Sequence, residues 1–223
     1  MQKKNLFCIL FVLLSAASST QVPVRFEPRH KPVLENQYIR LLDVHLPPAD
    51  TSLFHIHEIP SFFVPLSTTA IGIEVKGQQP QQTIFTIGND WYNGFENGPL
   101  IHRVWNSDTN ILHVMDIELL SRGNFVLPDK IAMPRSKIGF ENDKLRAYKI
   151  GLSPGEVVKL SPINIPMLLI AVSGPAIELR TAKDDAGVGL IQTGGFRWIG
   201  ASEKMQLVNN GAKELEALLI FLK

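Results

Sequence analysis

The sequence predicts an all-β protein made of two tandem copies of one small sandwich or barrel domain. Three observations carry that prediction: many short apolar or alternating runs divided by turn signals, no long amphipathic helix, and a register of the chain against itself. The runs lie at 39–46, 62–66, 71–75, 111–120, 167–172 and 215–222. Between them stand Pro47-Pro48, Gly88-Asn89-Asp90, Asn97-Gly98-Pro99, Ser153-Pro154-Gly155 and Asn209-Asn210-Gly211. Glycine, proline and asparagine in such clusters favour turn dihedrals over continued strand. The run at 215–222 has the composition of a helix (Glu-Leu-Glu-Ala-Leu-Leu), and only the repeat argues that it is a strand.

Sliding the chain by 106 positions brings its halves into register without a gap. Glu35-Asn36 falls on Glu141-Asn142, Arg40 on Arg146, Leu46 on Leu152 and Pro48 on Pro154. Pro60 then meets Pro166, Ser67 meets Ser173, and Ala70-Ile71 meets Ala176-Ile177. A long period that occurs twice indicates a duplicated domain and not a solenoid. Pro128, Met133 and Pro134 mark the join, so the expected units are 20–127 and 128–223.

The start of the chain reads differently. Lys3 and Lys4 precede an apolar run at 6–14, followed by Ser15, Ala16, Ala17, Ser18 and Ser19. A charged start, a short apolar stretch and small residues are the pattern of a secretory signal peptide, expected at 1–19. The chain is then secreted or periplasmic, with no membrane attachment after cleavage. Cys8, the one cysteine, lies inside the apolar run, which rules out a lipid-anchored cysteine after it. The mature chain would therefore have neither disulfides nor thiolate ligands, and any metal must be held by His, Asp or Glu. Elsewhere 45% apolar and 19% charged residues, with formal net charge +1, describe an ordinary globular chain without a nucleic-acid-binding block.

The chemistry concentrates at His55-Ile56-His57 and at His102, with Asn106 four places on. In a strand, residues two apart share a face, so His55 and His57 point the same way. These residues resemble the cupin superfamily. Its first motif reads Gly, five residues, His-x-His, three or four residues, Glu, six residues, Gly; its second ends Gly-x-x-His-x-x-x-Asn. The first half has Ala49, His55, His57, Ser61 and Thr68 at the first motif's places, keeping the histidines and losing the glycines and glutamate. The second half has Gly155, Ser161, Ile163, Met167 and Gly174, keeping the glycines and losing the ligands. His102 and Asn106 match the second motif with Pro99 in its glycine slot, and Gln206 and Asn210 take the same places in the other copy.

The resemblance implies two jelly-roll barrels (double-stranded β-helices) spanning roughly Val33 to Leu222. It implies one divalent transition metal (Fe, Mn, Ni, Cu or Zn) on His55, His57 and His102, with Ser61 in place of the usual fourth ligand. The second barrel, which has no histidine, is expected to bind no metal and to pack against the first. The implied activity is that of an exported metal-dependent enzyme, dioxygenase-like, on a small diketone, thiol or phenolic compound. The rival reading is a non-catalytic cupin that binds a metal or small molecule at a vestigial site. A homodimer is compatible with either.

Other residues carry weaker expectations. Glu58 and Tyr92 are the acid–base candidates, although strand alternation turns Glu58 away from the histidines. Phe54 and Phe62 are candidate pocket walls, and Arg40 and Arg103 candidate carboxylate clamps. The repeat of Arg40 as Arg146 argues instead for a structural role, and Arg103, beside a ligand, should face outward. His113 is expected to be a hydrogen-bonded strand residue. His45 shares strand parity with the ligand pair but no motif, and His30 falls in the N-terminal tail. Asp116 and Glu118 are expected to face solvent or the other barrel.

Overall fold

The computed structural model describes residues 21–121, 123–129, 131–181, 189–201 and 204–223. The expected signal peptide and Cys8 lie outside the described residues. The N-terminal half holds β1 (Val22–Pro23), β2 (His30–Glu35), β3 (Ile39–Leu46), β4 (His55–His57), β5 (Ser61–Pro65), β6 (Thr69–Val75), β7 (Gln81–Phe85), β8 (Trp91–Asn93), β9 (Leu100–Asn106) and β10 (Leu112–Leu119). The C-terminal half holds β11 (Ser136–Glu141), β12 (Leu145–Leu152), β13 (Val157–Leu160), β14 (Met167–Ser173), β15 (Ile177–Thr181), β16 (Gly189–Ile191), β17 (Phe196–Ile199), β18 (Met205–Asn209) and β19 (Leu215–Leu222).

Each half folds into two facing sheets. The first has orders β2-β3-β10-β5-β8 and β1-β4-β9-β6-β7; the second has β11-β12-β19-β14-β17 and β13-β18-β15-β16. Apart from the short β1, each order in one half becomes that of the other when every label rises by nine. The duplication read from residue identities is thus a duplication of topology.

Several repeated residues have visible work. Asn36 Oδ1 accepts from the backbone N–H groups of Tyr38 and Ile39, and Asn142 Oδ1 from those of Lys144 and Leu145, which closes the same turn in both copies. Arg40 binds Glu35 at 2.8 Å across the β2–β3 pair, and Arg146 binds Glu141 at 2.6 Å across β11–β12. Arg40 also reaches Glu118 at 2.6 Å. These arginines are structural.

The gapless register slips near the end of each copy. Asn106 Nδ2 donates to the carbonyls of Leu46 and Asn110, and its Oδ1 accepts from the Asp108 N–H. Asn209 does the same with Leu152, Lys213 and Gly211. Asn209, and not Asn210, is therefore the partner of Asn106, because the chain leading to β18 is three residues shorter than the 106-position register requires. Met205, and not Gln206, stands where His102 stands. Opposite it lies Leu160, as His55 lies opposite His102.

Alternation then decides what each strand face meets. Leu215, Ala217, Leu219 and Phe221 of β19 face the interior of the second barrel, while Leu218, Ile220 and Leu222 face the first barrel. With both faces buried, the helix-like composition is overridden by tertiary packing. The two large sheets pack back to back: Ile39, Leu41, Phe62, Val64, Met115 and Ile117 meet Leu145, Ala147, Leu168, Ile170, Leu218 and Ile220. The second barrel's interior is filled by a continuous apolar cluster that includes Leu160, Met167 and Met205. The first barrel has a much smaller apolar cluster and a hollow.

Candidate metal centre

The hollow is a cavity of about 230 Å³ between the two sheets of the first barrel. His30, His55, His57, His102 and Asp116 line it together with Val44, Phe63, Phe85, Trp91, Phe95 and Val104. His55 and His57 come from β4, with both side chains turned inward as strand alternation requires. His102 arrives directly opposite His55 in the β4–β9 pair. Its ring centroid is 4.5 Å from that of His55 and 5.0 Å from that of His57.

A fourth imidazole joins them from β2. His30 is buried, with its ring centroid 4.6 Å from that of His55. His30, His55 and His57 each offer a ring nitrogen such that all three lie within 4.8 Å of one another. The assignment of His30 to the tail is thereby corrected. Pairing of β2 with β3 carries it opposite Val44 and over the cavity. The signal for it was local: Glu27 lies three residues before His30, and its carboxylate meets His30 Nδ1 at 2.7 Å.

The surroundings aim these rings. The Leu53 carbonyl can only accept, so His55 Nδ1, 2.9 Å away, donates to it and leaves Nε2 as a lone pair. Glu27 in turn accepts from the backbone N–H groups of Leu53 and Arg29. Burial alone would raise the Glu27 pKa, but the His30 contact and these two N–H groups more than offset it and hold the carboxylate ionised. A carboxylate behind a histidine is the usual support of a metal ligand.

Electrostatics keep the rings neutral. Burial, reinforced by the neighbouring His30, lowers the His55 pKa to about 4. Burial and then His55 and His30 lower His102 to about 3. Burial, followed by His102, His55 and His30, holds His57 well below the usual imidazole range. Neutral imidazoles are the form that binds metal.

Asp116 is the correction to the expectation of a solvent- or barrel-facing carboxylate. It is 1% exposed and turns inward, because β10 alternates Val114 and Asp116 toward the cavity and Met115 and Ile117 toward the other barrel. Its Oδ2 lies 3.6 Å from His57 Nδ1. Burial, and then Glu118, raises its pKa well above the usual carboxylate range. Glu118 is also buried, paired to Arg40.

The remaining sequence candidates sit elsewhere. Glu58 is exposed, and Tyr92 packs on Phe140 at the join of the barrels; neither lines the cavity. Phe62 is buried between the barrels, and Phe54 lies under the Arg103 guanidinium, which pairs with Glu74 outside. The cavity aromatics are instead Phe63, Phe85, Trp91 and Phe95. Among the described residues, no lysine or arginine lines this cavity.

Does this donor set fit a metal? His55 Nε2, His57 Nδ1, His102 Nε2 and both carboxyl oxygens of Asp116 are buried without a hydrogen-bond partner. Orphaned polar atoms cost free energy unless something binds them. Imidazoles with one nearby carboxyl suit a borderline divalent ion. The residues fit.

No family model and no curated protein matches the sequence. Solved structures match the fold. A cupin 2 conserved barrel domain protein from Leptotrichia buccalis superposes with TM-score 0.54 at 12% identity, over 86% of this chain and 88% of that one. The chain has a bicupin fold. AerE from Microcystis aeruginosa shares it with TM-score 0.57 at 11% identity, over 89% of this chain and 99% of that one. Salicylate 1,2-dioxygenase from Pseudoaminobacter salicylatoxidans shares it with TM-score 0.56 at 9% identity, over 83% and 68%. The likeness is one of fold, at identities that carry no information about substrate.

Proposed function

We propose that this bicupin is an exported metal-dependent oxygenase acting on a small neutral organic molecule. His30, His55 and His57, whose ring nitrogens lie within 4.8 Å of one another, would hold its metal, with His102 beside them. The observation that carries the reading is the set of buried, unpartnered atoms on His55, His57, His102 and Asp116, all on residues that line one apolar cavity. Asp116 supplies from β10 the carboxyl that Ser61 does not supply from β5. A bound metal of this class provides Lewis acidity and one-electron reactivity toward O2.

The chain's own residues do the rest. Glu27 and the Leu53 carbonyl fix the orientation of His30 and His55. Phe63, Phe85, Trp91 and Phe95 exclude water and present flat apolar surface to a ring or a diketone. Since Arg40 and Arg103 are both paired away from the cavity, no lysine or arginine among the described residues is placed to bind a substrate carboxylate. Phenols and diketones are thus favoured over dicarboxylic acids. Asp116 replaces Glu58 and Tyr92 as the group placed to take or return a proton at a carboxyl oxygen.

The test is elemental analysis of protein purified without an affinity tag, with O2 consumption across diketones, phenols and thiols. We expect at least one equivalent of metal, O2 uptake with at least one neutral substrate, and in His57→Ala loss of the O2 uptake and of one metal equivalent. Metal without O2 uptake, together with thermal stabilisation by a ligand, would establish the rival non-catalytic binding reading. No metal above background would overturn both.

A further inference from the structure

We infer a second divalent-metal site, of the zinc class, on the outer face of the first barrel where it meets the second, formed by Asp43, His45 and His113. It is separate from the cavity. Asp43 and His45 are two apart on β3 and so share a face, and His113 stands directly opposite His45 in β10. That is the same face that sends Leu41 and Met115 into the join between the barrels. The three polar side chains continue it to the point where solvent begins.

The geometry is convergent. The His45 and His113 rings stack with centroids 4.0 Å apart and planes 23° apart. His113 Nε2 lies 2.8 Å from Asp43 Oδ1, and His45 Nδ1 lies 3.4 Å from the same oxygen. One ligand atom from each residue falls within 4.8 Å of the other two. Both rings thus turn a nitrogen toward the same carboxylate oxygen. A divalent ion fits this arrangement, because it takes both lone pairs and the carboxylate, and water completes four-coordination.

Access and support are both present. The side chains of His45, Asp43 and His113 are 42%, 24% and 20% exposed. Lys31, opposite Asp43 in β2, is the competing cation. On the far side stands a turn of the second barrel. A Cβ added at Gly194, where φ is +81°, would lie 2.5 Å from His113 Cε1. The second barrel therefore walls the His113 ring, and the site is complete only when both barrels are packed.

Zinc titration by calorimetry of the chelator-stripped full chain, near pH 7.5, tests this. The wild type should bind two equivalents. His57→Ala should keep the outer equivalent, and His45→Ala, at a half-exposed position, should lose it. His45→Gln, which keeps bulk and removes the ring nitrogens, should repeat that loss. Gly194→Ala retains every ligand and should weaken the outer equivalent at least tenfold by displacing His113. Because the outer equivalent is read in His57→Ala, failure of the cavity as a metal centre would not hide it. If stoichiometry and affinity are unchanged in folded His45→Ala and His45→Gln, the site does not exist.

Discussion

Ala49 shows how one residue can carry the cost of a fold. It has φ of 62°, in the left-handed region, and its partner in the other copy is Gly155 with φ of 76°. The turn demands a left-handed residue in both barrels, and the first barrel meets the demand with a side chain. Left-handed backbone costs an L-residue about 1–2 kcal/mol, against about 0.5–1 kcal/mol for the extra entropy of an unfolded glycine. Ala49→Gly should therefore raise unfolding free energy by about 0.5–1 kcal/mol in urea denaturation, with the metal content unchanged. The motif's missing glycine was visible in the sequence; that its conformation had survived was not. The cavity aromatics also turn on single residues: Phe63, and not Phe62, lines the cavity. Phe62 and Phe63 are neighbours, so alternation must send one to the seam and the other to the cavity. A choice of one residue in register exchanges them, and only strand pairing makes it.

At the scale of elements, β2 is where sequence reasoning fell short. The repeat begins to register at Glu35, five residues after His30, so nothing repeated marks His30 as inward-facing. Its place follows from pairing with β3, and its orientation from Glu27, just before the strand. We expect Glu27→Gln, which keeps the shape and removes the charge, to reduce cavity metal affinity 10–100-fold in competition with a fluorescent chelator. An unchanged affinity would take His30 out of the ligand set. By contrast, β4 and β9 were legible because their histidines fit a spacing that two strands impose. β10 was legible as a strand but not in its facing, since Asp116 and Met115 exchange roles with the register.

For the whole molecule, the barrels are joined by more than apolar surface. Lys149 on β12 reaches across to the Gly88 carbonyl and to Asp90, 3.2 Å from its Oδ2. The Asp90 side chain is only 3% exposed and directly precedes Trp91 of the cavity wall. Burial raises the Asp90 pKa and Lys149 opposes that rise. Lys149→Met should cost about 3 kcal/mol by leaving a buried carboxylate unpaired. Adding Asp90→Asn should recover most of it, a coupling measurable by a double-mutant cycle in thermal unfolding.

The filled second barrel has a further consequence. A hollow barrel lined by orphaned polar atoms is a poor source of stability, and each change to its lining risks unfolding. Here a solid neighbour shares a broad apolar face with it, so the margin against unfolding resides largely outside the cavity. Such a chain can exchange cavity residues while the fold holds. The filled copy is what makes the lining of the hollow one free to change.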